Sequence, residues 1–495
     1  MLNSFKGLKI FQLSEYLLLA LFAFVVPFSW RIATFIIIAI FTATVLKGIF
    51  EEGFKPNPYQ YQNKFTYIVF IAFWFLYAIS FLYSENTAEA RIQIGKKLPF
   101  FIFPIFFLCS NLSYLTKNRV RTIMYCFVFG ILILFTVNLL WAGYDVIFED
   151  AEIKRLKSPH NFFKTNNYEI FFSIVHRAYF SAFTCIALVF CCIELFYVKK
   201  IGLKLFNILA SVLLIFIPFF LTSRSGMLCT ALMLSIIWIW ITFVIKRKYI
   251  GILSGIIMVI LLIIGYLAFP KSIERYTNAL NNIKEGKGEI RLTIRHATRN
   301  ALYNNIVYGA GVGDRNKETM KSFQKYKDEM ISKIIPFNEY FFNTDNNKNI
   351  FSDSVCEYEH IYNKHAYKYA DSIINENKYD NSPTKEYLSE YRIIKHCMKH
   401  EMNAHNQFAD TIIAIGIFGL LLYLSMFIMP IYLWIKNKQF DIVFFTLLFI
   451  IAFNSLFESI MERQMGIMFF VFFYFLLFHN NFCQQTTDFE NLNNN

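Results

Sequence analysis

The strongest constraint on this chain is the recurrence of apolar runs long enough to cross a bilayer. A hydrocarbon core ~30 Å thick takes roughly 20 residues of helix, and windows near that length fall at 14–30, 32–50, 65–83, 98–111, 122–142, 177–198, 202–222, 225–245, 249–269, 408–435, 440–458 and 465–480. With 56% hydrophobic and 19% aromatic residues over 495 positions, the chain reads as an all-α polytopic membrane protein of about twelve transmembrane helices. The fourth window is short and carries Pro99 and Pro104, so a re-entrant or kinked segment is the alternative to a full crossing there. The first run follows Lys6 and Lys9 as in a signal peptide, but no small-x-small cleavage site follows it and a second run begins after Arg31. It reads as a retained helix.

The formal charge of +13 raises nucleic acid as a partner, yet most Lys and Arg sit in short loops between apolar runs, where positive charge sets membrane orientation. No nucleic-acid partner is assigned. Lys199, Lys200 and Lys204, then Lys246, Arg247 and Lys248, then Lys436 and Lys438 fall by alternation on one face, together with Lys117, Arg119 and Arg121. That face is cytoplasmic by the positive-inside rule. The chain then divides into spans 1–9 over 1–269, a large periplasmic loop of short helices over 270–407, spans 10–12 over 408–480, and a disordered cytoplasmic tail over 481–495. Cys356 and Cys397 alone among the cysteines lie in the long loop, where an oxidising compartment permits a disulfide.

The residues able to carry chemistry collect on the periplasmic side. His405 and Asn406 open the apolar run AHNQFADTIIAIGIFGL, with Gly416 and Gly419 following. A histidine at the entrance to a helix is a candidate proton acceptor, since imidazole is the side chain suited to general-base work. In EIRLTIRHATRNALYN, Arg291, Arg295 and Arg299 share one helical face, opposite Ile290, Ile294, Ala297 and Ala301. Such a stripe is either a solvated face or a phosphate clamp, since guanidinium offers forked donors that match phosphate oxygens. Gly309, Gly311 and Gly313 in GAGVGD lack dinucleotide-motif spacing and read as a tight backbone turn that could approach a substrate. Arg224 in TSRSG and Arg177 in VHRAYF flank membrane-length helices, where a charge is costly unless interfacial or paired. Glu458 stands at the end of the eleventh window and could hold an arginine in place. His396 and His400, four residues apart with Glu401 beside them, have metal-ligand spacing but not the H-E-x-x-H order. No metal and no cofactor are assigned.

These features resemble the O-antigen ligase family across nearly the whole chain. The likeness lies in the span number with its large loop, Arg224 in a short periplasmic turn, the Arg291-to-Gly313 pattern, the spacing from His405-Asn406 to Gly416 and Gly419, and the acid Glu458. The resemblance implies a multi-pass enzyme of the bacterial inner membrane with its active site facing the periplasm. It would transfer a preassembled glycan from undecaprenyl pyrophosphate to a hydroxyl of the lipid A-core in lipopolysaccharide biosynthesis, inverting and without metal. It also implies His405 as catalytic base, with Arg224, Arg291 and Arg295 on the pyrophosphate. Arg177, Asn406, Gly309, Gly311, Gly313 and Glu458 would support them. An O-antigen polymerase or a protein O-oligosaccharyltransferase shares these features. A flippase for a lipid-linked saccharide, in contact with the same membrane lipids, is the reading from a different class.

The orientation gives the first expected outcome. A cysteine introduced at Asn346 is labelled from outside the cell by a membrane-impermeant thiol reagent, and one at Lys438 is not. The opposite pattern would overturn the assignment of faces.

Overall fold

A computed structural model describes residues 9–52, 61–148, 177–221, 223–244, 248–268, 277–278, 281, 290–334 and 385–483. Among them there is no strand. In chain order the helices are α1 Ile10–Val25, α2 Trp30–Lys47, α3 Lys64–Ser80, α4 Thr87–Lys96, α5 Pro99–Cys109 and α6 Lys117–Phe148. Then follow α7 Arg177–Tyr197, α8 Ile201–Phe220, α9 Arg224–Ile239 and α10 Lys248–Ala268. The remaining helices are α11 Ile290–Ala297, α12 Arg299–Asn304, α13 Arg315–Ile334, α14 Lys385–Lys399, α15 Gln407–Asn437, α16 Ile442–Ser455 and α17 Gln464–Phe482. Among the described residues nine stretches are long and apolar enough to cross a membrane, and shorter apolar helices occupy Ile10–Val25, Gly251–Ile264 and Ile442–Ser455. The protein is an all-α polytopic membrane protein. Cys356 and the tail from Gln484 onward lie outside the described residues.

The chain forms two compact units. A membrane unit comprises Met1–Ala78, Ile92–Arg275 and Leu421–Asn495, and a loop unit comprises Ile79–Arg91 and Tyr276–Leu420. Two helices make the inside of the membrane unit: Tyr179–Tyr197 is 83% buried and Gln464–Phe482 94% buried, so neither is a lipid-facing span. α17 is aromatic on every side, and its rings mesh with those around them. Phe469 lies 4.1 Å from Phe183, Phe472 4.5 Å from Phe22, and Tyr474 4.6 Å from Phe70, between ring centroids. Without a hydrophobic drive between helices in lipid, this close packing is what holds such spans together.

Two sequence readings of single spans change. The fourth is not confined to 98–111: the helical stretch is Thr87–Cys109, 23 residues long. Its first half was hidden by Arg91, Gln93, Lys96 and Lys97, and Pro99 interrupts it because proline has no N–H to bond to the preceding turn. Lys97 is tolerated within the bundle because its Nζ donates to Glu462 Oε1 at 3.2 Å and to the Met461 carbonyl at 3.3 Å, 4.5 Å from the Tyr77 ring centroid. The tenth span, expected as one helix over 408–435, is broken at Ile415 and Gly416, whose backbone angles are not helical.

The Lys97–Glu462 pair has side chains 0% and 6% exposed. Removing one partner strands a buried charge, which costs about 3 to 5 kcal/mol. Lys97→Met should therefore lower the thermal unfolding temperature in detergent sharply, and adding Glu462→Leu should restore most of it. Equal loss in the single and double variants would contradict the pairing.

Candidate active site

Three candidates gather at one end of the membrane unit. Arg177 opens α7 and Arg224 opens α9, and these helices start side by side because Gly226 has no side chain: a Cβ there would stand 2.4 Å from that of Ser181. Further along, Cys185 Sγ and Thr230 Oγ1 are 3.4 Å apart. The end of α16 joins them. Asn454 Nδ2 reaches Cys229 Sγ at 3.6 Å, and the Tyr179 hydroxyl donates to the carbonyl of Ser459, the neighbour of Glu458, at 3.2 Å. Ser223 caps α9 by accepting from the Gly226 N–H at 3.2 Å, and Arg224 is half-buried just inside that cap. An anion at this end would meet both a guanidinium and the free N–H groups of a helix start. Arg463 adds another cation that the sequence reading passed over, exposed and 6.0 Å from the Tyr179 ring centroid. Only its place among apolar residues signalled it.

The loop unit holds the other candidates. Its core is Ile294, Ala297, Phe323, Tyr326, Met330, Ile331, Tyr391, Ile394 and Cys397, with Met402 packed against it. Burial pushes the Cys397 thiol up to about 11. The arginine stripe turns away from this core: Arg291 is half-buried, while Arg295 and Arg299 are exposed. Ile294, Ala297 and Ala301 face inward as expected, but Ile290 is exposed. The stripe is also two helices, broken at Thr298, and Ser322 bridges the break by donating to the Ala297 carbonyl and accepting from the Ala301 N–H.

His405 enters from the same core by way of Met402. Its backbone is left-handed, with φ +47°, a region that non-glycine residues adopt at a cost and that concentrates at functional positions. Its N–H donates to Asn403 Oδ1 at 3.1 Å. Asn406 is the N-cap of α15: its Oδ1 accepts the Ala409 N–H at 3.0 Å, which fixes where the helix begins and so where His405 stands before it. The first turn buries Asp410, whose Oδ1 lies 4.0 Å from Arg315 Nε, with side chains 0% and 7% exposed. Neither residue was singled out in the sequence; an acid inside an apolar run was the available signal. The rings of His396 and His400 are 4.4 Å apart at the end of α14. Among the described residues no cluster of three His, Cys, Asp or Glu could hold a metal ion.

The glycines serve close backbone contact. The break in α15 leaves backbone groups to pair with 306–311: Ala310 N–H bonds the Ile413 carbonyl at 2.7 Å, Gly311 N–H the Ala414 carbonyl at 3.1 Å, and Ile417 N–H the Ile306 carbonyl at 2.7 Å. Gly309 has φ +78° and leaves no room for a Cβ against Ala414, and Gly313 none against the Asn86 carbonyl. Beyond them, Asp314 accepts the N–H groups of Glu85 and Asn86 at 2.6 and 3.2 Å, at the start of α4. The structure thus places Arg177, Arg224 and Glu458 in the membrane unit, and Arg291, Arg295, the three glycines, His405 and Asn406 in the loop unit.

Fold and residues together define a polytopic helical membrane protein with arginines at helix starts and a strained histidine before a capped, broken helix. Compared with protein families, residues 209–347 match the O-antigen ligase family, a match that covers the end of the first set of spans and the start of the loop unit. Family members are glycosyltransferase-like membrane enzymes. The match covers Arg224, Arg291, Arg295, Gly309, Gly311 and Gly313; His405, Asn406, Gly416, Gly419, Arg177 and Glu458 lie outside it. No curated protein matches the chain.

Gly416 combines φ +71° with a Cβ position 2.1 Å from the Val307 carbonyl oxygen. Gly416→Ala should destabilise by about 1 to 3 kcal/mol from backbone strain, with overlap adding to it. Gly202→Ala, which has nothing within 4 Å, should be tolerated. Thermal unfolding of both variants in detergent checks this.

Proposed function

We propose that the protein transfers a preassembled glycan from undecaprenyl pyrophosphate to a hydroxyl of the lipid A-core, on the periplasmic face of the bacterial inner membrane. The observation that carries the reading is His405, held in a left-handed backbone immediately before the Asn406-capped start of α15. In this reading the acceptor O–H loses its proton to the His405 imidazole as its oxygen attacks the anomeric carbon. The bond from that carbon to the phosphate oxygen breaks, and the pyrophosphate leaves with the electron pair. One displacement inverts the anomeric centre. The leaving group gains negative charge, which guanidinium offsets through charge-assisted hydrogen bonds, and Arg224, Arg291 and Arg295 are the arginines proposed for that role. Arg177 and Glu458 would set the electrostatics around Arg224, and the glycines would keep the broken helix docked beneath His405.

A second reading has one observation in its favour. Discontinuous helices such as α15 recur in transporters, where their exposed backbone ends meet the substrate. A carrier of the lipid-linked saccharide would bind the same anion and cleave nothing.

In purified protein with lipid-linked donor, His405→Ala should leave donor binding near normal and slow transfer by roughly 10² to 10⁴. Arg224→Ala and Arg291→Ala should weaken donor binding as well as turnover, and lysine at either place should restore charge without the fork. Arg392→Ala, an exposed arginine on α14, is the comparison and should change neither. Full turnover by His405→Ala would remove the base assignment; unchanged donor binding in both arginine variants would remove the clamp.

A further inference from the structure

Outside its core, the loop unit carries a ledge of large apolar side chains that no part of that unit covers. Leu82 is 82% exposed, Tyr308 74% and Tyr303 62%, with Tyr83, Ile306, Val307 and Phe418 about half exposed. Backbone contacts hold them side by side. The Tyr83 hydroxyl donates to the Tyr308 carbonyl at 2.8 Å, the Ile306 carbonyl accepts the Ile417 N–H at 2.7 Å, and Val307 abuts Gly416. Water is a poor neighbour for such a surface, since exposed apolar patches of this kind mark interaction sites.

Two observations say what covers it. The ledge is continuous with membrane helices: Tyr83 is the last residue of the membrane-length stretch Lys64–Tyr83, and Phe418 lies within Gln407–Asn437. A surface hydrogen-bonded to both belongs at the depth of a span end, where tyrosine rings settle at the headgroup level. The charge also fits. From Ile290 to Gly313 there is no Asp or Glu, and the cations there include Arg299, whose Cζ lies 5.5 Å from the Tyr303 ring centroid at the edge of the ledge. An arginine beside an interfacial tyrosine can reach lipid phosphate while its stem stays in the apolar layer.

We propose that the segment 299–308, with Leu82 and Tyr83, is inserted into the headgroup and acyl boundary of an anionic phospholipid leaflet, with Arg299 on lipid phosphate. The segment lies between the membrane spans in sequence and would nonetheless be a membrane-embedded element. The inference rests on the spans and the exposed ledge, and holds whether the protein cleaves its substrate or carries it.

The test uses the full chain in vesicles of phosphatidylethanolamine and phosphatidylglycerol carrying a diazirine on their acyl chains, with adducts mapped by peptide mass spectrometry. Adducts are expected on 299–308 and on Leu82 or Tyr83, alongside those on the lipid-facing helix Ile201–Phe220. Replacing phosphatidylglycerol with phosphatidylcholine, or Arg299→Gln, should reduce the adducts on 299–308 several-fold and leave those on Ile201–Phe220 unchanged. Adducts on Ile201–Phe220 with none on 299–308 would overturn the insertion. Adducts on 299–308 indifferent both to lipid charge and to Arg299 would overturn its anionic preference.

Discussion

The loop unit depends on a backbone pairing across the break in α15. At Ile415 and Gly416 the helix gives up its internal ladder, and in an apolar setting each orphaned amide or carbonyl would cost several kcal/mol. The turn 306–311 supplies the missing partners, bonding Ile413, Ala414 and Ile417. Only glycine lets the two backbones meet this closely at Gly309 and Gly416. The same run continues through Gly313 into Asp314, which caps the backbone at Glu85 and Asn86, so one short segment ties the start of α4 to the broken helix. His405 stands one residue before the Asn406 cap of that helix, and inherits its position from this arrangement.

A second constraint is that charge inside the bundle is matched in place. Lys97 with Glu462, Lys47 with Glu15, and Arg121 with Glu194 each bring a cation within 3.2 Å of a carboxylate. At the starts of α7 and α9 arginines stand where the backbone presents positive character. An end built this way suits an anionic group, and a lipid-borne pyrophosphate is the anion the proposed chemistry supplies. The buried Arg315–Asp410 pair has the other character and reads as scaffolding for the first turn of α15.

Much of this was legible in the sequence where one physical signal dominated. The apolar windows marked the spans because length and hydropathy are local properties, and the inward face of the Arg291 helix followed from its spacing. The fourth span was underestimated because Lys97 and its polar neighbours masked a helix whose neutralising partner, Glu462, lies 365 residues away. The break at Gly416 was invisible since its compensation comes from 306–311, a hundred residues upstream. Asn406 was read as a companion of the histidine, whereas its side chain caps the helix. The arginines and the histidine could be picked out one by one, but their division between two units belongs to tertiary structure.

The central claim is that the protein breaks a glycosyl–phosphate bond and does not merely carry its substrate. The most direct measurement is made on the purified chain in vesicles containing a lipid-linked glycan and a lipid A-core acceptor, following the polyprenyl product over time. The account predicts free undecaprenyl pyrophosphate appearing in step with glycan on the acceptor, in the inverted anomeric configuration. Lipid-linked glycan that crosses the bilayer intact, with no pyrophosphate released, would contradict it.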